Sequence, residues 1–235
     1  MPSATPCRWL RLDRTYDVDL LARDVATCVE TEWQKHFNTQ DYSGDWTSIA
    51  FYSASGREGD ISTAPTREFV PTPLLERCDY IREILDGLKC DKESVRLLQL
   101  APGSQIHEHR DSGLAYEYCS LRLHIPILTS EGVDFIVGGE RLEMKAGELW
   151  YANFDLPHSV QNNGEAARIH LVIDLIRNEW TDELFRVAGY DFEAEKRCLQ
   201  PDTETQRRIM EELARIDTDG ARMLLEQMRK EIDGT

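Results

Sequence analysis

The stretch Ile106-His107-Glu108-His109-Arg110-Asp111 carries the densest chemistry in the chain, together with a distant His158 and, ten residues after it, Arg168. Alternate residues of a β-strand point to one face, so His109 and Asp111 can approach one metal ion while Arg110 points away. A second imidazole, from His158 elsewhere in a β-barrel, completes a facial set of two histidines and one carboxylate, a pattern suited to ferrous iron with coordination positions left open for substrate. By the same alternation His107 shares the face of His109 and Asp111, so spacing alone leaves it open as a ligand. His36 reads as a surface residue at the end of a helix.

Two further strands divide their residues in a telling way. Over 167–176, Arg168, His170, Val172 and Asp174 share one face, and Ile169, Leu171, Ile173 and Leu175 share the other. Over 119–129, Leu121, Leu123, Ile125 and Ile127 form an apolar face while Arg122 and His124 point the opposite way. Charged groups on a face that lines an interior imply a ligand there; an edge strand facing solvent is the alternative. For Arg168, whose planar guanidinium matches a carboxylate with two parallel hydrogen bonds, the alternative is a salt bridge to Asp174 or Glu148. Tyr116, Tyr118, Trp150 and Asn153 flank these positions and are candidates to shape a substrate pocket, with packing in the core as the other reading.

The elements that must position these groups follow from periodicity. Residues 8–16 suit an edge strand. Over 17–37, Leu21, Val25, Cys28, Val29 and Trp33 recur at helical spacing and predict an amphipathic helix. A strand is expected over 45–53. Residues 53–67 are polar and aperiodic, either a lid or a solvated connection. Thr72-Pro73 opens a second helix with Leu74, Cys78, Ile81, Leu85 and Leu88 on one stripe. From 94 to 176 the pattern becomes short strands, near 94–101, 105–111, 119–128, 133–137, 141–144, 148–153, 158–162 and 167–176. Eight such strands predict a mainly β fold, a double-sheet jelly roll with flanking helices. After Arg177 the composition turns charged and helix-forming. Helices are expected over 181–187, from Thr203 and from Asp219-Gly220, with Met223, Leu224 and Met228 on an apolar stripe that could pack on the barrel, cap substrate or form a dimer surface. The expected division is 1–176 for the barrel with its N-terminal helices and 177–235 for a C-terminal helical segment.

The 235 residues suffice for a full core, and 30% charged with 41% hydrophobic residues is an ordinary globular balance. A formal net charge of -16 repels phosphate backbones and argues against a nucleic-acid substrate. No run approaches membrane-span or signal-peptide character, so the cytoplasm is the expected compartment. The six cysteines have no C-x-x-C spacing and are expected mostly as small buried hydrophobes.

The ordered set Pro102-Gly103, His109-Arg110-Asp111, Arg122-Leu123-His124, Gly147-Glu148-Leu149-Trp150, His158 with Asn162, and Arg168-Ile169-His170-Leu171 running into Asp174 resembles the aspartyl/asparaginyl β-hydroxylase-like branch of the Fe(II)/2-oxoglutarate oxygenases, most of all its bacterial proline hydroxylases. The resemblance covers about the middle third of the chain. It implies a double-stranded β-helix, His109, Asp111 and His158 as iron ligands in preference to His107, Arg168 on the far carboxylate of 2-oxoglutarate, and Arg122 and His124 near its metal-bound end. It implies molecular oxygen as co-reactant and hydroxylation of an unactivated C–H bond in a free, proline-like amino acid or an aminoacyl side chain. Asp111 sets the chain apart from animal members that lack the carboxylate, and from halogenases. A homodimer through the terminal helices is a further implication. Two other readings stay open. One is a cupin-type metalloenzyme, an isomerase or cosubstrate-free dioxygenase, in which His107-x-His109 and His158-x-x-x-Asn162 echo cupin motifs and Glu117 supplies the acidic ligand; the other is a non-catalytic ligand-binding barrel.

Overall fold

A computed structural model of the chain describes residues 7–63, 68–199, 203–216 and 218–233. β1 (Trp9–Thr15) leads to α1 (Val18–Thr27), the short strands β2 (Gln34–Lys35) and β3 (Tyr42–Ser43), the long strand β4 (Trp46–Ser53) and the short β5 (Val70–Pro71). A 3-10 turn at Pro73–Arg77 precedes α2 (Asp79–Gly87). Next come β6 (Lys92–Leu100), β7 (Gln105–His109), β8 (Ser120–Leu128), β9 (Val133–Val137), β10 (Glu140–Arg141), β11 (Glu148–Ala152), β12 (His158–Asn162) and β13 (Arg168–Ile176). The helices α3 (Glu179–Val187), α4 (Phe192–Leu199), α5 (Thr203–Arg215) and α6 (Asp219–Asp233) follow. Two compact units result, Cys7–Asp191 and a helical one from Phe192 onward.

The strands form two antiparallel sheets. One has the order β1-β11-β8-β13-β6-β4-β2 with β5 beside β4, and the other β10-β9-β12-β7-β3. This is a double-stranded β-helix, mainly β with flanking helices, as the strand pattern predicts. Alternation explains why the larger sheet serves two purposes. Its outer face presents Ile49, Leu97, Leu123, Ile125, Leu171 and Ile173, each fully buried. Each such side chain contributes about 1.5–3 kcal/mol over its exposed state. The inner face carries Arg96, Arg122, His124, Arg168, His170 and Asp174, an unusual polar lining for a barrel. Trp46, Leu100, Phe135, Trp150, Phe154 and Val160 pack between the two sheets.

Several expectations change. The helix predicted over 17–37 ends at Thr27. Asp17 caps its start, accepting from the backbone of Asp19 at 2.9 Å and Leu20 at 3.1 Å. Beyond it Val29 and Thr31 are β-branched and disfavour continuation, and Trp33 turns back to donate its indole N–H to the Cys28 carbonyl at 3.2 Å. Val29 is therefore exposed rather than part of an apolar stripe. The stripe from Leu74 to Leu88 is buried as read, but a break at Cys78 separates the 3-10 turn from α2. The helix α4 went unanticipated. α3 lies against β1 inside the first unit, which runs to Asp191, beyond the division expected at 176. In the helical unit α5 and α6 pack on each other, while Met223 and Leu224 are exposed. Of the cysteines only Cys28 and Cys78 are buried, so the expectation that most are core residues is corrected. Residues 64–67 of the 53–67 connection lie outside the described residues, and among those described no helix is long and apolar enough to cross a membrane.

Gly147 fixes the join between β1 and the sheet. Its φ is +79°, its N–H donates to the Pro126 carbonyl at 2.8 Å, and its own carbonyl accepts from Tyr16 N at 2.8 Å. A Cβ there would sit 2.5 Å from the Tyr16 oxygen and 3.0 Å from Val18 Cγ2. Gly147→Ala is expected to destabilise the protein by about 1–3 kcal/mol through left-handed backbone strain. Urea unfolding at constant m-value measures it.

Candidate active site

His109 ends β7 and His158 begins β12, and the two are directly paired across the antiparallel ladder. Their rings lie 4.2 Å apart. Between His158 and Val160 on β12 there is one intervening residue, whereas β7 has two between His109 and Ile106, so β7 carries a β-bulge. The bulge breaks strict alternation. His107 and Glu108 both point outward and are exposed, while Ile106 faces the core and His109 the interior. The expectation that His107 shares a face with His109 is thereby overturned: its N–H donates to the Asp41 carbonyl at 2.7 Å and its ring contacts Gln40 O at 3.2 Å. Asp111 follows two residues after β7, its backbone N–H donating to the Phe154 carbonyl at 2.9 Å.

The donor atoms of His109, Asp111 and His158 all lie within 4.8 Å of one another. Each imidazole uses Nδ1 on a backbone carbonyl, His109 on His107 O at 2.8 Å and His158 on Leu156 O at 3.0 Å. A carbonyl can only accept, so Nδ1 carries the proton and Nε2 keeps its lone pair, the tautomer a metal requires. Burial pulls the His158 pKa down to about 4, which keeps the ring neutral. Burial pushes the Asp111 carboxyl up, but Arg122, His158 and His109 outweigh it and hold the group below its usual range. One oxygen of Asp111 accepts from Arg122 Nη1 at 2.7 Å, and the other lies 3.7 Å from His109 Nε2. These three residues fit a divalent metal.

Arg122 and Asp174 are cross-strand partners on β8 and β13. Arg122 donates to both Asp174 oxygens, at 2.6 and 3.0 Å. Asp174 therefore aims Arg122, which aims Asp111. The solvent-facing alternative for Arg122 is removed, but its guanidinium is occupied by two carboxylates, and the structure does not leave it free for a cosubstrate as the resemblance implied. Asp174→Asn keeps the shape and drops the charge; it is expected to weaken metal affinity roughly 10–100-fold, as outer-shell changes do, measured by anaerobic titration of Co(II) absorbance.

Arg168 begins β13 and is 2% exposed. No carboxylate pairs with it among the described residues: Asp174 is engaged by Arg122 and Arg96, and Glu148 by Arg11 and the Trp150 indole. Its Nη2 donates to His170 Nδ1 at 2.8 Å, its plane lies over Phe135 at 5.3 Å, and its Nε has no partner among the described residues. Burial alone lowers its pKa to about 9. Because arginine only donates, His170 Nδ1 must accept, so His124 Nδ1, at 3.2 Å, is the donor in that pair. The bare Nε2 of His124 has no partner among the described residues. Burial, then Arg168, keeps both imidazoles neutral.

His109, Asp111, His158, Arg122, Asp174, Arg168 and His124 line one cavity of about 780 Å³, with His170 behind the lining. Trp46, Arg96 and Phe154 line it too, none of them assigned to a site from the sequence, and so does His36, which was expected at the surface. His36 is not at a helix end; it stacks on Trp46 with ring centroids 3.7 Å apart, and burial lowers its pKa to about 4. Tyr116, Tyr118, Trp150 and Asn153, candidates for the pocket, do not line it. Tyr116 stacks on Phe185 behind the sheet and donates to Asp182, Tyr118 is exposed, Trp150 packs against Trp9, and Asn153 donates to Glu117 at 3.1 Å. Glu117, needed by the cupin alternative, is thus on Asn153 and outside the cavity.

The aspartyl/asparaginyl β-hydroxylase family model matches residues 18–178, and the chain belongs to that family. It is 25% identical over 175 residues to L-proline cis-4-hydroxylase of Rhizobium meliloti (strain 1021), an alignment covering 73% of this chain and 61% of that protein. The chain thus spans about three fifths of the length of that curated relative. Among solved structures, it is similar to a 2OG-Fe(II) oxygenase family oxidoreductase from Burkholderia pseudomallei, with a TM-score of 0.48 at 15% identity over 69% of this chain and 81% of that one. A prolyl-4-hydroxylase from Pseudomonas putida gives 0.44 at 15% identity over 73% and 93%. Both scores are below 0.5, and the fold rests on the strand pairing itself.

Proposed function

We propose that the protein is an Fe(II)- and 2-oxoglutarate-dependent hydroxylase acting on an unactivated C–H bond of a proline-like amino acid or of an aminoacyl side chain. The observation that carries this reading is a buried guanidinium, Arg168, with no carboxylate partner among the described residues, in the same cavity as a set of two histidines and one aspartate. When bound, iron and 2-oxoglutarate supply the oxidation, in which 2-oxoglutarate and oxygen become succinate and carbon dioxide and one oxygen atom enters the substrate.

The chain's own residues do the positioning. His109 and His158 offer Nε2 lone pairs, and Asp111 offers one oxygen while Arg122 restrains the other. Arg168 is placed to take the far carboxylate with paired hydrogen bonds, its orientation held by His170 and by the face of Phe135. Phe154, stacked on His124 with centroids 5.1 Å apart, gives the cavity an apolar wall beside the ligand residues. Membership in the family and the likeness to a protein named as a proline hydroxylase support the substrate class. The compartment proposed is the cytoplasm.

Succinate release tests the reading. Protein reconstituted with Fe(II) under argon and given 2-oxoglutarate, air and a panel of free amino acids including L-proline should form succinate in step with one of them, together with a product heavier by one oxygen atom. Protein that binds Fe(II) but neither binds nor consumes 2-oxoglutarate would sink the proposal.

A further inference from the structure

Two thiols meet at the join between α1 and α2, and nothing in the chemistry above uses them. Cys28 caps the C-terminal end of α1, and Cys78 stands immediately before the first turn of α2. Both are fully buried, and their Sγ atoms lie 3.7 Å apart. The contact is fastened from both sides. The Asp24 carboxylate of α1 accepts from the backbone N–H of Ile81 in α2 at 2.8 Å, and Arg77 donates to the Thr27 carbonyl. A disulfide holds its sulfurs at about 2.0 Å, so bonding asks for an approach of roughly 1.7 Å shared between two side chains.

The surroundings give the two thiols unequal roles. Cys78 lies at the positive, N-terminal end of the α2 dipole, and Cys28 at the negative end of α1. A hydrogen bond with Cys28 as donor lowers the Cys78 pKa against the pull of burial, and the same bond together with burial raises that of Cys28. Thr27 Oγ1 lies 3.3 Å from Cys78 Sγ and can turn its proton to that thiolate from the Asp24 carbonyl, 2.7 Å away. Cys78 is therefore the attacking sulfur and Cys28 the resolving one.

We infer that Cys28 and Cys78 are a modification site, a pair that hydrogen peroxide converts reversibly to a disulfide. The Cys78 thiolate attacks one peroxide oxygen, the O–O bond breaks, and the departing hydroxide takes up the proton Cys78 released, giving a sulfenic acid and water. The Cys28 sulfur then attacks the sulfenic sulfur, the S–O bond breaks, and a second water leaves with the Cys28 proton. The two thiols lose two electrons in all, and one peroxide is reduced to two waters. Peroxide is little larger than water, which suits a pair reached only through local opening of the fold. The ring so closed spans 50 positions and takes in β2 to β5, with His36 and Trp46 of the cavity wall. Oxidation thus ties down one wall of the cavity without altering a group that lines it.

The test is peptide mapping of the full chain, reduced, desalted, treated with a small excess of hydrogen peroxide in the presence of a chelator, then unfolded, alkylated and digested without reductant. The peptides holding Cys28 and Cys78 should be recovered joined, two hydrogens lighter than the separate thiols, and dithiothreitol should part them. The oxidised protein should unfold at a urea midpoint higher by about 1 M, since the ring restricts the unfolded chain. Cys28→Ser should leave a Cys78 sulfenic acid that dimedone traps, and Cys78→Ser should leave Cys28 reduced. If neither variant folds, the wild-type map and midpoint still decide. Recovery of both residues as alkylated thiols while the exposed Cys119 is oxidised, linkage of either to another cysteine, or an oxidised midpoint no higher than the reduced one would overturn the inference.

Discussion

Arg168→Met is expected to make the ligand-free protein more stable and blind to 2-oxoglutarate. Arg168 is buried beside Phe135 with one hydrogen bond to His170 and an orphaned Nε among the described residues. Burial of an ill-matched charge costs about 1–3 kcal/mol, and methionine fills similar space without a charge. Urea unfolding at pH 7 should show that gain. In the wild type, 2-oxoglutarate at a hundred times its Kd should add about 2.7 kcal/mol of stability, and in Arg168→Met this increment should vanish. The pH dependence has a definite sign. Burial lowers the folded pKa to about 9, well below the ordinary guanidinium range, so above pH 9 and up to that range the unfolded chain binds more protons. Ligand-free stability therefore rises with pH through that window, and 2-oxoglutarate affinity falls as pH passes about 9. A variant less stable than the wild type, or one still stabilised by 2-oxoglutarate, would contradict the role given to Arg168.

Asp111→Ala should reduce Fe(II) affinity by more than about 100-fold, beyond the usual effect of outer-shell changes, whereas His107→Ala should leave it unchanged. The contrast follows from the bulge, which puts Asp111 inside the ligand set and His107 outside. The Asp111 side chain is 34% exposed, and Arg122 keeps both bonds to Asp174 when Asp111 is gone, so the variant should fold. Anaerobic metal titration of the two variants in parallel reads both effects. The reverse result, metal lost with His107 and kept without Asp111, would favour a cupin-like centre.

The sequence made the strands legible because period-two alternation switches abruptly from period 3.6 at β6, and each strand from β6 to β13 falls within a few residues of its expected place. His109, Asp111, His158 and Arg168 meet in one cavity because strand faces are set by parity. What parity cannot see is an extra residue. Ile106, His107 and His109 cannot be sorted without knowing that β7 bulges against β12. The pocket aromatics were misplaced for a related reason: Tyr116 and Trp150 are near the ligands in sequence, but Tyr116 packs on Phe185, and Trp150 fills the intersheet core beside Trp9 without reaching the cavity. His36 was hidden by a helix read ten residues too long, from Thr27 to Phe37. Arg96 sits on a strand whose interior and exterior faces are both buried, so no periodic signal marked it.

The bulge also sets how this protein can change length. A strand's parity is a counting device: one residue removed turns every later side chain over. The bulge is where that count is absorbed: deleting Glu108 would make β7 regular against β12 and leave Ile106 opposite Val160 and His109 opposite His158, both on the inner face. Insertions in the exposed turn at Gly138-Gly139 leave both histidines in register. Lineages descended from this chain should therefore vary in length at such turns and can lose the bulge residue itself, while the count from His109 to Asp111 stays fixed.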